Sequence, residues 1–269
     1  MREAMGENGC EPLLKWAGGK RRLLPHIKPI LPHTFGRYFE PFVGGGAVFF
    51  ALSPGKATLS DINSDLITTY MAVRDDVASV MRRLAQLRNT SAEYYKVRRA
   101  EPRSAAGCAA RMIYLCTLSF NGIYRQNRDG VFNVPYGRKK HLNPHDATKL
   151  YAISRRLQGC DLLVDDFENA VRTARRGDLV YFDPPYTVAH GNNGFIKYNA
   201  KLFSWDDQRR LAEVATTLKR IGVHVVVSNA FHPSVHKLYA GFRSKTIERH
   251  SVMAAASVHR RPVQECLFY

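Results

Sequence analysis

Asp183-Pro184-Pro185-Tyr186 is the stretch of this 269-residue chain whose residue types and order most sharply specify a chemistry. A proline biases the residue before it away from the helical region, so Asp183 and Pro184 are both pushed into extended conformations that set where their oxygens point. The Asp183 carboxylate and the Pro184 carbonyl can then accept two hydrogen bonds from one amino group, while the Tyr186 ring offers a flat face for stacking a base. As plain structure, Pro-Pro after a strand is a terminator. The apolar strand and Asp before it, and the Tyr after it, favour the functional reading.

A second constellation is Phe42-Val43-Gly44-Gly45-Gly46, followed by Asp61 at the end of the next expected strand. Without Cβ atoms the glycine turn lets a ligand approach the backbone closely, and Asp61 is placed to accept hydrogen bonds from ribose hydroxyls. Taken alone, the same residues also suit a tight turn and a helix cap. Familiar phosphate loops are excluded: a Walker loop ending at Gly19-Lys20 needs Gly at 14 and Ser or Thr at 21, where Leu14 and Arg21 stand, and a dinucleotide pattern from Gly44 needs Gly where Phe49 stands.

The elements that must hold these residues follow from periodicity. Leu23–Leu31 is expected to be helical, Arg37–Phe42 a buried strand, Ala47–Leu52 a helix and Ala57–Ser60 a strand, which is the β-turn-α-β opening of a doubly wound sheet. The middle block, 66–159, has helical spacing in Leu66–Val73, Val77–Leu87 and Ala109–Leu118. It then breaks into Asn121–Lys140, where Arg128-Asp129-Gly130 signals a hairpin turn. The last block resumes with strands at Asp161–Val164, Leu179–Asp183, Val223–Ser228, Arg243–Val252 and Val263–Phe268. Its helix, Trp205–Ile221, carries Leu211, Val214, Ala215, Leu218 and Ile221 on one face. The expected fold class is α/β, with residues 1–65 and 160–269 forming a sheet domain split by the insert 66–159.

Composition supports a globular protein with a polyanionic partner. The chain is 45% hydrophobic and carries a formal charge of +17. Residues 66–159 hold 17 Lys and Arg against 6 Asp and Glu, so the middle block contributes +11 of that surplus. No apolar run reaches the ~20 residues of a membrane helix, and the N-terminus lacks a secretory pattern, so the cytoplasm is the expected compartment. Five cysteines without a Cys-x-x-Cys pair signal neither a disulfide framework nor a metal site.

Together these segments resemble the D12 class of DNA adenine-N6 methyltransferases, the Dam-like enzymes. Leu14-Lys15-Trp16-Ala17-Gly18-Gly19-Lys20 is similar to that family's N-terminal cofactor motif, and Phe39-Glu40-Pro41-Phe42-Val43-Gly44-Gly45-Gly46 to its methionine-end motif. Ser60-Asp61-Ile62-Asn63 is similar to its ribose motif and Asp183-Pro184-Pro185-Tyr186 to its catalytic tetrapeptide. The resemblance implies a Rossmann-like sheet, an inserted and mainly helical DNA-recognition domain with a β-hairpin, and S-adenosylmethionine (SAM) as cofactor. It implies cofactor contacts at Trp16, Lys20, Glu40, Phe42, Gly44, Gly46, Asp61 and Asp183, with Asp166 and Phe167 near the cofactor's adenine. Asp183, Pro184 and Tyr186 are the implied catalytic residues. Segments 119–127 and 130–138 resemble the recognition hairpin, which implies that Phe120 and Asn121 wedge into the duplex and that Arg125, Asn127, Pro135 and Arg138 reach bases, with Lys15 a further DNA contact. Lys139 and Lys140 suit phosphates or plain solvation. Thr187–Asn193 departs from the family's commonest loop.

The chemistry implied is direct methyl transfer to a flipped-out adenine, with no metal, and GATC is the first candidate site. Asp at 183 rather than Ser favours adenine over cytosine, and the basic hairpin favours nucleic acid over protein. A DNA-binding module that keeps SAM without turnover is the rival from another class. The expected partner is double-stranded DNA, the expected state a monomer, and any cognate restriction endonuclease would be a separate chain.

Overall fold

A computed structural model describes residues 3–4, 10–16, 18–127, 130–139, 141–186, 203–250 and 262–269. The chain is mixed α/β with a seven-stranded sheet, and a separate antiparallel pair joins β1 (Glu3–Ala4) to β2 (Thr34–Phe35). It divides into two compact units, one of Met1–Ala4, Leu23–Phe42 and Asp166–Tyr269, the other of Met5–Arg22 and Val43–Asp165.

In the first unit β3 (Tyr38–Glu40), β6 (Leu179–Phe182) and β7 (His224–Ala230) run parallel, β9 (Pro262–Phe268) pairs antiparallel with β7, and β8 (Ser244–His250) pairs antiparallel with β9. All residues of β3 and β6 are buried, so β6 reads as a continuous apolar run and β3 as an apolar pair closed by the buried Glu40, rather than as alternating strands. β3 is shorter than the expected strand because the chain turns at Pro41, which has no N–H to give a ladder. Helix α9 (Trp205–Arg220) starts at a Ser204–Asp207 capping box and buries Leu211, Ala212, Ala215 and Leu218 against Val180, Phe182, Val225 and Val227. Ile221, expected on that face, lies just past the helix end and is exposed. The expected Leu23–Leu31 helix is broken into α1 (Leu24–Ile27) and a 3-10 turn (Lys28–Ile30). Pro25 and Pro29 supply no backbone donor to a longer one.

In the second unit β4 (Ala57–Asp61) pairs in parallel with β5 (Cys160–Val164), Asp61 opposite Val164. Helix α2 (Ala47–Leu52) follows the glycine turn, and α3 (Ser64–Asp75) packs on α6 (Ala105–Leu118). Besides α4 (Val77–Ala85) there are α5 (Ser91–Arg99) and α7 (Ala147–Leu157), both absent from the sequence reading. Each is capped at its start, by Thr90 and Asp146 side chains. Cys116, Cys160 and Cys266 are buried free thiols, and Cys10 and Cys108 are half-exposed free thiols.

Candidate active site

In an open α/β sheet, ligands gather where parallel strands end at their carboxyl edge. In the first unit β3 and β6 are neighbours at that edge, with Tyr38 opposite Leu179. Glu40 closes β3, and Asp183 follows β6. The Ser228 hydroxyl, on β7, donates to Asp183 Oδ1 at 2.7 Å, and the Tyr181 hydroxyl donates to Ser228 Oγ at 3.0 Å. The rest of the tetrapeptide is held equally firmly. Gln208 Nε2 donates to the Pro185 carbonyl at 3.3 Å while its Oε1 accepts from Asn229 Nδ2 at 2.9 Å. Tyr186 donates its hydroxyl to Glu265 Oε2 at 3.0 Å, and Glu265 is fully buried. Burial first, then the neighbouring Glu265 and Asp183 carboxylates, holds the Tyr186 hydroxyl well above the usual phenol range, so it stays a donor. Ser228, Tyr181, Gln208 and Glu265 were not found by sequence reasoning. Ser228, Gln208 and Glu265 belong to a helix and strands remote in sequence from the tetrapeptide, while Tyr181 sits in the strand just before it, and nothing local distinguishes any of them from core polar residues.

The same unit holds Glu40, buried, accepting from the Tyr38 hydroxyl at 2.9 Å. The Phe42 ring stacks on Phe167 with centroids 5.5 Å apart and a 25° interplanar angle. Asp166 caps the start of α8 (Phe167–Val171), and both its oxygens take the Arg210 guanidinium at 2.8 Å. That guanidinium also lies 4.3 Å from the Phe167 ring centroid. The Asp166 side chain is thus built into a fork that orients Arg210 and Phe167.

In the second unit, Asp61 anchors the glycine turn. Its Oδ2 accepts the Gly44 N–H at 3.1 Å and its Oδ1 the Asn63 N–H at 3.0 Å. The Val43 N–H reaches the Ser60 carbonyl at 2.9 Å, and the Tyr70 hydroxyl reaches the Gly44 carbonyl at 2.8 Å. Gly44 has φ +46°, and a Cβ there would lie 2.8 Å from Trp16 Cδ1, so only glycine admits the indole ring. Burial raises the Asp61 carboxyl above its ordinary value, outweighing the backbone N–H groups that favour the anion. Lys20 is buried and donates to the Gly18 carbonyl at 2.8 Å. Two apolar residues missed in the sequence flank Asp61: Ile62, next in the chain and 62% exposed, and Val164, its strand partner and 52% exposed. A carboxylate between bare apolar side chains and a glycine cradle suits a ribose with a flat ring beside it. These are the features a nucleoside-bearing cofactor such as SAM requires.

Also in this unit, residues 118–127 fold back antiparallel on 131–137. Isolated bridges join Ser119 to Tyr136 and Gln126 to Phe132, and the Phe120 N–H meets the Pro135 carbonyl at 2.8 Å. Phe120 is an aromatic half exposed to solvent, at 50%. Lys15, Asn121, Arg125, Asn127, Pro135 and Arg138 are all exposed and Lys139 is half-exposed. Lys15 lies against this fold, its Cδ 3.0 Å from where a Cβ on Gly122 would stand. Arg125 Nε donates to Asn133 Oδ1 at 2.9 Å, and Asn127 Oδ1 accepts the Val131 N–H at 2.8 Å. Asn121 and Arg138 both adopt positive φ, +60° and +55°. Lys140, the Arg128-Asp129 part of the turn and Thr187–Asn193 lie outside the described residues. Among the described residues no helix is long and apolar enough to cross a membrane, and no group of His, Cys, Asp and Glu could hold a metal ion.

Comparison with known proteins gives these features a family. Residues 16–253 match the model of the D12 class N6 adenine-specific DNA methyltransferases. The chain is 39% identical to the Type II methyltransferase M1.LlaDCHI of Lactococcus lactis subsp. cremoris, over 95% of this chain and 94% of that one. It is 36% identical to the Type II methyltransferase M.MjaIII of Methanocaldococcus jannaschii, over 88% and 90%. With the DNA adenine methylase of Haemophilus influenzae it shares 32% identity, over 88% and 85%. A braced, half-buried Asp-Pro-Pro-Tyr and a carboxylate-anchored glycine turn, on a chain matched almost end to end, make this protein a member of the D12 class of adenine-specific DNA methyltransferases.

Proposed function

We propose that the protein is a site-specific DNA methyltransferase that transfers a methyl group from SAM to the N6 amino group of an adenine flipped out of duplex DNA. The sheet then serves as a Rossmann-like cofactor domain, residues 1–65 and 160–269, and residues 66–159 as the DNA-recognition domain with its hairpin. The observation that carries this reading is the Asp183 carboxylate, oriented through Oδ1 by Ser228 at 2.7 Å beside the Tyr186 ring, itself oriented by Glu265.

The adenine amino nitrogen is conjugated with its ring, so its lone pair is a poor nucleophile. Asp183 and the Pro184 carbonyl, accepting its two hydrogens, draw the group out of conjugation and localise the lone pair, while Tyr186 holds the base flat. Rigid positioning of this kind supplies most of the rate. SAM, when bound, supplies an electrophilic methyl. Gly44, Gly46, Asp61, Trp16, Lys20, Glu40 and Phe42 hold it in this reading, with Ile62 an apolar wall and Asp166 and Phe167 near the cofactor's adenine. Phe120 and Asn121 fill the gap left by the flipped base. Arg125 and Arg138 read guanine, Asn127 and Pro135 lie against bases, and Lys15, Lys139 and Lys140 hold phosphates or edges.

The Dam relatives and the hairpin together support GATC as the first sequence to test. Similarity to proteins named Type II methyltransferases supports a restriction-modification setting with the endonuclease a separate chain. We propose a cytoplasmic monomer acting without metal.

The test is to incubate the protein with SAM and a duplex library holding every short sequence, then map modified bases. N6-methyladenine at one motif is expected, and Asp183→Ala should abolish the mark while keeping much of the DNA affinity. SAM binding with no mark on any duplex would overturn the reading, and full turnover by Asp183→Ala would overturn the role of that residue.

A further inference from the structure

Tyr124 stands between the glycine turn and the hairpin, and no role for it follows from the motifs. Its ring stacks on Trp16 with centroids 4.7 Å apart and planes within 12°. Its other ring contact is Phe132, on the return arm of the hairpin, at 5.7 Å. The indole it stacks on is the one for which Gly44 leaves room, since a Cβ there would lie 2.8 Å from Trp16 Cδ1. Arg125 follows Tyr124 directly, so whatever sets the Tyr124 ring sets the base of that guanidinium. All these residues lie within one compact unit.

We propose that Tyr124 is a positioning residue that couples cofactor binding at the glycine turn to the geometry of the DNA-reading hairpin, through its stack on Trp16. The inference rests on the function proposed above and deepens it. A ligand pressing on the turn fixes the indole; the indole fixes Tyr124; Tyr124 fixes the arm that carries Arg125. Coupling of this kind is reciprocal, so DNA bound at the hairpin tightens cofactor binding by the factor with which cofactor tightens DNA. An aromatic stack of this size supports an effect of up to about tenfold.

The experiment is a thermodynamic cycle by calorimetry. S-adenosylhomocysteine, which has no methyl to transfer, is titrated into the protein alone and into its complex with a duplex carrying the methylated motif mapped above. The wild-type protein should bind it about three- to tenfold more tightly with DNA present. Tyr124→Leu, which keeps apolar bulk but loses the flat contact, should bind it with nearly wild-type affinity in the absence of DNA and lose the enhancement. Tyr124→Phe keeps the stack and should retain most of it, which also guards against a Leu variant that folds poorly. A wild-type enhancement undiminished in Tyr124→Leu, or no enhancement in a wild-type protein that binds both ligands, would overturn the proposal. A wild-type protein that binds no S-adenosylhomocysteine at all would instead overturn the cofactor assignment.

Discussion

At the scale of single residues, two carboxylates are handled in opposite ways. Asp183 is given a hydroxyl donor, Ser228, which Tyr181 in turn supports at 3.0 Å. Hydrogen bonds to a charged group contribute about 1.5–3 kcal/mol, so Ser228→Ala should lower kcat at least about tenfold. Because Ser228 is fully buried behind Asp183, KM for DNA and for SAM should move little. Steady-state kinetics separate this from a loss of binding, and an unchanged kcat would remove Ser228 from the account. Asp61, by contrast, is desolvated enough that its carboxyl is raised above the ordinary value of 3.8. The folded chain therefore holds that proton more tightly than the unfolded one, and Asp61's contribution to stability diminishes as pH rises from 3.8 through the raised folded value. In the proposed cofactor site binding has the opposite sign: the ribose acceptor assigned to Asp61 is lost as pH falls. KM for SAM should rise in acid at a higher pH than an ordinary aspartate would dictate, and Asp61→Asn should show a weaker affinity with that limb flattened.

At the scale of elements, the hairpin carries backbone strain where the resemblance places its DNA contacts. Among the described residues, Ser53, Asn121 and Arg138 are the non-glycine positions with positive φ. Asn tolerates the left-handed region through local hydrogen bonding, but Arg there costs about 1–2 kcal/mol. Arg138→Gly should therefore be more stable than Arg138→Ala by about 1 kcal/mol in chemical denaturation, while in the proposed reading both lose discrimination at the guanine assigned to Arg138. Equal stabilities would show that the turn relaxes once the guanidinium is gone. This strain was invisible in the sequence, because no local pattern around Arg138 marks a left-handed residue. What was legible had strong local cause. The tetrapeptide's prolines, the glycine turn and the apolar runs of β6 and β7 announced themselves, and the structure places Asp61 at the end of its strand as expected. The polar helix α5 did not, since Ser91–Arg99 buries only Tyr94 and Val97 and gives a weak periodic signal. Nor did the support behind Asp183 and Tyr186, because Ser228, Gln208 and Glu265 become neighbours only through strand order and tertiary packing.

At the scale of the whole molecule, a formal charge of +17 sets how the protein meets a polyanion. Each phosphate neutralised by Lys or Arg releases condensed counterions, so log K for duplex DNA should fall linearly with log salt, by about 0.9 for every contact. This measurement separates the two roles that the basic residues can take. Removing a phosphate contact weakens binding to every sequence alike and lowers the slope by about one. Removing a base contact costs about 1–3 kcal/mol at one position of the recognition site and leaves other sequences nearly untouched. Arg125, exposed and with its Nε on Asn133 at 2.9 Å, is oriented by the hairpin, and the proposed function assigns it to the second kind. Lys139 has its carbonyl tied to Asn89 at 3.1 Å, which fixes its backbone beside the hairpin and leaves a flexible ammonium suited to the first. Lys139→Ala should therefore reduce the salt slope by about one without altering the preferred motif. Arg125→Ala should keep most of the slope and relax the motif at a single base pair. A Lys139→Ala protein with the wild-type slope would place that lysine among the merely solvated charges. Part of the +17 would then govern solubility and encounter rate rather than the bound complex.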